Sequence, residues 1–187
     1  MAARMTTSSY AVLGLLALRP WSAYDLARQA ARSLRFAWPT SERHLYTEPR
    51  KLVALGYATM HEEPAGSTRT RKVYTITVAG RSVLADWTGT GPAPPTFEAE
   101  TMVRLLFAEH GTVDALTRAI TKLKNDTEEL HRWSLSIIDG YTRGDIPFPD
   151  RLHLSVLLAS FELELLTMIE RWADFAVEEV SRWENTD

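Results

Sequence analysis

The stretch SERHLYTEPRKLVALGYATMHEEPAGSTRTRKVYTITVAG, Ser41 to Gly80, changes its apolar rhythm half-way along. Its first part spaces Leu45, Leu52 and Leu55 as one face of a helix and stops at Gly56, the residue type that best ends one. Tyr57, Thr59 and His61 then alternate with Ala58 and Met60, which is the period of a strand. Val73, Tyr74, Thr75 and Ile76 form a second strand, β-branched and aromatic. The polar interval Pro64–Lys72 is too long for a tight turn and reads as a projecting hairpin tip. The segment is therefore a helix followed by a hairpin, with Thr40 or Ser41 as the helix cap after Pro39.

Working outward, two more helices precede it. The first spans roughly Ser8 to Leu18, where Val12, Leu13, Leu15, Leu16 and Leu18 are apolar almost all round, so it is central; Arg19-Pro20 stops it. Ser22 with Asp25 three residues on opens the second, which runs to about Leu34 and buries Leu26, Ala27 and Ala30. Downstream, Thr77 caps a short helix expected to bury Val83, Leu84 and Trp87. Next comes Gly89-Thr-Gly-Pro-Ala-Pro-Pro95, where the prolines forbid helix. That linker also divides the charge. Residues 1–88 hold 12 Lys or Arg against 6 Asp or Glu, a net of +6, and residues 89–187 hold 9 against 18, a net of −9. Ten of the first 12 cations are arginine, whose planar fork suits phosphate and guanine. The reading is residues 1–88 as one domain, 89–96 as linker and 97–187 as a helical domain, in a mainly α (α+β) chain.

Three helices and a hairpin make a winged helix-turn-helix: the major groove of a DNA duplex admits one α-helix, and a flanking hairpin follows the adjacent backbone. The third helix is the expected reader. With its leucines inward, Ser41, Glu42, Arg43, His44, Thr47, Arg50 and Lys51 are left for other faces. Arg69, Arg71 and Lys72 put three cations within four residues at the wing, with no carboxylate between Glu63 and Asp86. Such a tip suits phosphates or a narrow minor groove.

The residues resemble the PadR family of bacterial transcriptional regulators. The resemblance lies in Arg43-His-Leu-Tyr-Thr-Glu-Pro-Arg-Lys-Leu-Val-Ala-Leu-Gly56, in Arg71-Lys-Val-Tyr-Thr-Ile-Thr-Val-Ala-Gly80, and in Tyr10-Ala-Val-Leu-Gly-Leu-Leu with Ser22-Ala-Tyr-Asp-Leu26. It covers about residues 8–88. It implies a dimeric repressor whose winged domain grips a palindromic operator and whose C-terminal helices dimerise and can sense a small-molecule effector. Pro49 departs from the pattern by standing where a core Leu is expected, and it predicts a kink or break near Thr47–Glu48 at about 3 kcal/mol for a regular helix. The candidate DNA-binding residues are Thr40, Ser41, Arg43, His44, Tyr46, Arg50, Lys51, Arg69, Arg71 and Lys72. Arg43 is the first choice for a base edge, and Arg50 and Lys51 are expected to reach phosphate at most. Tyr46, like Tyr24, stays open between a phosphate contact and packing.

Beyond the linker, Phe97, Met102, Val103, Leu105, Leu106 and Phe107 mark a helix ending near His110-Gly111, and Thr112 caps the next. There Leu116, Ile120, Leu123, Thr127, Leu130, Ser134, Ile137 and Tyr141 alternate four and three apart, a coiled-coil-like seam that Gly140 and Gly144 close. A last helix, about Asp150 to Trp183, carries Leu154, Leu158, Phe161, Leu165, Met168, Trp172 and Phe175 on one stripe. Helices this long cannot cover their apolar faces within so small a chain, so a second copy is the expected cover. Trp133, Trp172, Trp183, Phe161 and Phe175 read as core or interface, and no effector site is assigned to them.

The composition excludes other classes. The chain of 187 residues has no cysteine, so disulfides, thiolate metal sites and thiol nucleophiles are out. His44, His61, His110, His131 and His153 are scattered without paired ligand spacing, so no metal and no cofactor is expected. No Gly-rich phosphate loop or nucleophile motif points to an enzyme. No apolar run reaches the roughly 18 residues of a membrane span, the longest, Tyr10 to Leu18, being about half that, and the start lacks a signal-peptide pattern, so a soluble, cytoplasmic protein is expected. The competing reading is a protein-interaction module that uses a winged fold and acidic helices without specific DNA binding.

Overall fold

The computed structural model describes residues 4–34, 37–38, 42–65 and 69–186. It is mostly helical and divides into two compact units, Met1–Pro94 and Pro95–Asp187.

In the first unit, α1 (Thr7–Leu18) starts at a reciprocal cap: the Thr6 hydroxyl accepts the Ser9 N–H at 3.3 Å, and the Ser9 hydroxyl accepts the Thr6 N–H at 3.1 Å. Val12, Leu13 and Leu16 are sealed from solvent, as the all-round apolar pattern requires. α2 (Ala23–Ser33) is capped by Ser22, which accepts the Asp25 N–H at 3.1 Å and donates its hydroxyl to the Asp25 carboxylate at 2.7 Å. α3 (Glu42–Ala54) packs on both earlier helices and buries Leu45 and Leu52, while Leu55, just past its end, is half-buried. Gly56 ends it at φ +75°, with its N–H on the Val53 carbonyl and the Tyr57 N–H on the Leu52 carbonyl, a pairing that satisfies two of the helix's last acceptors.

Pro49 does not break α3: the helix is continuous through Thr47, Glu48 and Pro49. The ring forfeits one backbone hydrogen bond, but it is among the most deeply buried side chains. Burial of its apolar surface in the three-helix core offsets that loss. The expected separation of Arg50 and Lys51 onto a turn of their own therefore does not occur.

A three-stranded antiparallel sheet of order β1-β3-β2 completes the unit. β2 (Ala58–Pro64) and β3 (Thr70–Ile76) pair over their full length, from Ala58 with Ile76 to Pro64 with Thr70. The strands thus run further than their apolar residues suggest. Arg71 and Lys72 stand on β3, in register with Glu63 and Glu62, and not in the connecting loop. β1 (Trp21–Ser22), invisible to periodicity, joins Trp21 to Tyr74 and Ser22 to Val73. Trp21 is further fixed by donating its Nε1–H to the Leu15 carbonyl at 2.8 Å, with the Arg19 guanidinium 3.7 Å above its ring.

α4 (Val78–Thr88), capped by Thr77, packs on α1 and passes close to Tyr57 just before β2. A Cβ at Gly80 would lie 2.2 Å from the Tyr57 carbonyl oxygen, so only glycine fits. Val83 and Leu84 are half-buried; Trp87, expected inside, lies at the surface and stacks on Tyr10, ring centres 4.7 Å apart.

The second unit contains α5 (Glu100–Leu106), a 3-10 turn (Ala108–His110), α6 (Val113–Thr142), a second 3-10 turn (Pro149–Arg151) and α7 (Leu152–Val180). The first of these is shorter than its apolar pattern suggested and leaves Phe97 outside it. Thr112 caps α6 as expected, and α6 continues through Gly140 to a turn where Gly144 takes φ +93°. α6 and α7 pack antiparallel, since Lys124 meets Asp174, His131 meets Glu170, and Ser134 meets Glu162. Leu116, Ile120, Ala173, Ala176 and Val180 form the core at one end. α7 turns Leu166, Ala173, Ala176 and Val180 inward, while Leu154, Leu158, Phe161, Met168 and Phe175 stay exposed, Phe161 by 60%.

α7 and the turn before it depart from the expectation that no apolar segment reaches membrane length. Pro149–Val180 is long and apolar enough to cross a membrane by length and composition, with a mean hydropathy of 1.6 over its best window.

Candidate nucleic-acid interface

Two surfaces of the first unit present the predicted residues. On α3, His44, Tyr46, Thr47 and Arg50 are exposed, Tyr46 by 41%. Tyr46 and Arg50 are four residues apart and so share a helix face. Arg43 also belongs to α3. Its side chain, with Thr40 and Ser41, lies outside the described residues.

Lys51 is placed differently. Its ammonium turns inward to the Ser9 hydroxyl at 2.8 Å and the Glu48 carboxylate at 3.3 Å. Glu48 is only 9% exposed, and its Oε2 accepts no hydrogen bond. The ion pair with Lys51 is then the interaction that compensates a carboxylate held largely out of water. Because Ser9 also closes the cap of α1, Lys51 ties α3 to the start of the central helix.

The second surface is the wing. The hairpin closes with the Ala65 N–H donating to the Arg69 carbonyl at 2.7 Å, and Arg69, Arg71 and Lys72 are all exposed. Arg71 is not an isolated cation. It donates to Glu63 at 3.2 Å, and its second terminal nitrogen is 3.9 Å from Asp25 at the start of α2. Glu63 Oε1 simultaneously accepts from His61 Nε2 at 2.9 Å. The His61 hydrogen bond, followed by that of Arg71, holds the Glu63 carboxyl below its ordinary range.

Reading along the chain, no carboxylate follows Glu63 before Asp86, and the wing looked uncompensated. Across the hairpin, Glu63 faces Arg71 directly. The signal was available in strand parity: once Ala58 is set opposite Ile76, Glu63 falls opposite Arg71. The Lys51–Ser9 contact joins residues 42 positions apart and left no comparable mark.

Residues 12–86 match the Transcriptional regulator PadR-like family. Over 104 residues the chain is 32% identical to the Negative transcriptional regulator PadR of Bacillus subtilis (strain 168), a match that takes in 55% of this chain and 57% of that relative. The fold is similar to that of Bacillus subtilis PadR in complex with operator DNA, with a TM-score of 0.79 at 21% identity, over 95% of this chain and 99% of the other. It is also similar to Bacillus subtilis PadR in complex with p-coumaric acid, with a TM-score of 0.67 at 21% identity, over 96% of this chain and all of the other. The architecture is thus a winged helix-turn-helix unit followed by a helical unit, and residues 12–86 resemble the domain of the PadR-like family of transcriptional regulators.

Proposed function

We propose that this chain is a sequence-specific DNA-binding transcriptional regulator, acting as a repressor on a palindromic operator as a homodimer in the cytoplasm. The carrying observation is the presence in one winged unit of an exposed polar face on α3 and of exposed Arg69, Arg71 and Lys72 on and just before β3. A negative regulator as relative and an operator complex among the similar folds support the same reading. In this proposal Thr40, Ser41, Arg43, His44 and Tyr46 meet bases or the flanking backbone, and Arg50, Arg69, Arg71 and Lys72 meet phosphates. Lys51 acts by holding α3 in place.

Residues 1–88 form the reading domain in this scheme, 89–96 the linker and 97–187 the dimerisation domain. The outward stripe of α7 calls for a cover, and a second copy offers the same stripe in return. A bilayer is a poorer cover, because α7 is paired along its length to α6, which carries exposed Lys122, Asp126 and Arg132. Two winged units joined this way would address half-sites about one DNA turn apart, near 10 bp. In this proposal a small-molecule effector would act through the helical unit; that a similar fold occurs in complex with p-coumaric acid supports an effector of that size.

Fluorescence anisotropy with the duplex upstream of its own gene, over a salt series, tests the proposal. Salt-sensitive binding by a species of twice the monomer mass is the expected result. Salt-insensitive capture of a protein, with no DNA shifted, would transfer the winged unit to the interaction-module reading.

A further inference from the structure

One carboxylate at the base of the wing serves two cationic partners, and one of those partners can gain or lose its charge. Glu63 gives Oε1 to His61 at 2.9 Å and Oε2 to Arg71 at 3.2 Å, and all three side chains are solvent-accessible. The register places them on one face of the hairpin: His61 and Glu63 are two apart on β2, and Arg71 is opposite Glu63 on β3. Asp25 of α2 approaches the far side of the guanidinium at 3.9 Å. Glu62 and Lys72, the remaining charges beside them, pair in register on the opposite face. A carboxylate only accepts, so His61 Nε2 carries the hydrogen in this contact, and a second proton would enter at Nδ1.

We infer that His61 and Glu63 form a proton-gated brake on Arg71: with His61 neutral, Glu63 competes with DNA phosphate for the Arg71 guanidinium, and with His61 protonated that competition is relieved. The inference rests on the DNA-binding reading above and deepens it. The cluster His61–Glu63–Arg71 carries no net charge while the imidazole is neutral and +1 once it is protonated. Protonation also turns the His61–Glu63 contact into a charge-assisted pair, which draws the carboxylate away from Arg71. That this carboxyl is already held below its ordinary range, by His61 first and Arg71 second, shows that both partners stabilise its charge. Histidine is the side chain that makes such a change between pH 5 and 8. A phosphate beside the wing favours the protonated imidazole, so affinity is highest at low pH and falls as pH rises. One added charge about 4 Å from a phosphate in water is worth roughly a fivefold change in affinity per wing.

Wing–phosphate contacts are independent of sequence, so a mixed-sequence duplex of about 30 bp at low salt is a sufficient probe. His44 is a second exposed imidazole, on α3, so His44→Gln is the reference protein. Its anisotropy titration should show binding tighter at pH 6 than at pH 8 by about fivefold for each wing engaged. Adding His61→Gln should flatten that profile and leave the pH 8 affinity unchanged. Adding Glu63→Gln instead should tighten binding at pH 8 to near the pH 6 value, a gain no merely structural role would give. A pH profile that survives His61→Gln, or weaker binding at pH 8 after Glu63→Gln, overturns the brake while leaving DNA binding intact. No binding at any pH overturns the DNA reading, and the brake with it.

Discussion

Replacing Lys51 by Met would test whether this lysine serves the fold or the nucleic acid. The methylene stem survives and the ammonium goes, taking with it the hydrogen bond to Ser9 and the pair with Glu48. Lys51 and Glu48 are 22% and 11% exposed at their side chains, so screening removes only part of the effect. Breaking a fully buried pair by removing one partner costs about 3–5 kcal/mol, and partial solvent access lowers that to roughly 2 kcal/mol. Urea unfolding followed by circular dichroism at pH 7.5 should show that loss as a lower midpoint with an unchanged slope. Adding Glu48→Gln should restore more than half of the loss, since the orphaned charge disappears. The salt slope of DNA binding should not change. A variant as stable as the parent, with a salt slope smaller by about one unit, would refute this reasoning and make Lys51 a phosphate contact.

Other substitutions test other parts. Gly80→Ala forces a Cβ to within 2.2 Å of the Tyr57 carbonyl, and should destabilise the first unit by about 2 kcal/mol in the same unfolding assay. Arg50→Ala, on the exposed face of α3, should leave stability within about 0.5 kcal/mol and lower the DNA salt slope by about one unit. Phe161→Glu on the outward stripe of α7 should shift sedimentation toward the monomer and weaken operator binding at least tenfold, because two tethered heads become two separate ones.

The sequence exposed the fold wherever a pattern is local. The capping residues Ser22, Thr77 and Thr112, the stop at Gly56 and the seam of α6 are all set by neighbours within a turn or two. It was silent where partners come from far along the chain. β1 is two residues long and has no period to detect, and the Glu63–Arg71 pair appears only when the hairpin register is drawn. Pro49 misled for a related reason: its local penalty was legible, but its compensating burial belongs to the packed core. At the candidate interface, the exposure of His44, Tyr46 and Arg50 followed from the leucines behind them, whereas the inward turn of Lys51 depended on Ser9, 42 positions earlier.

Ser22 has a consequence out of proportion to its size. It pairs with Val73 in the sheet, starts α2, and donates to Asp25, the carboxylate that approaches Arg71. The hairpin and the second helix thus share Ser22 as a common fastening. A pull on the wing's arginine therefore travels through Asp25 and Ser22 into the first turn of α2, so hairpin and helices are expected to swing as one lever, with no joint between them.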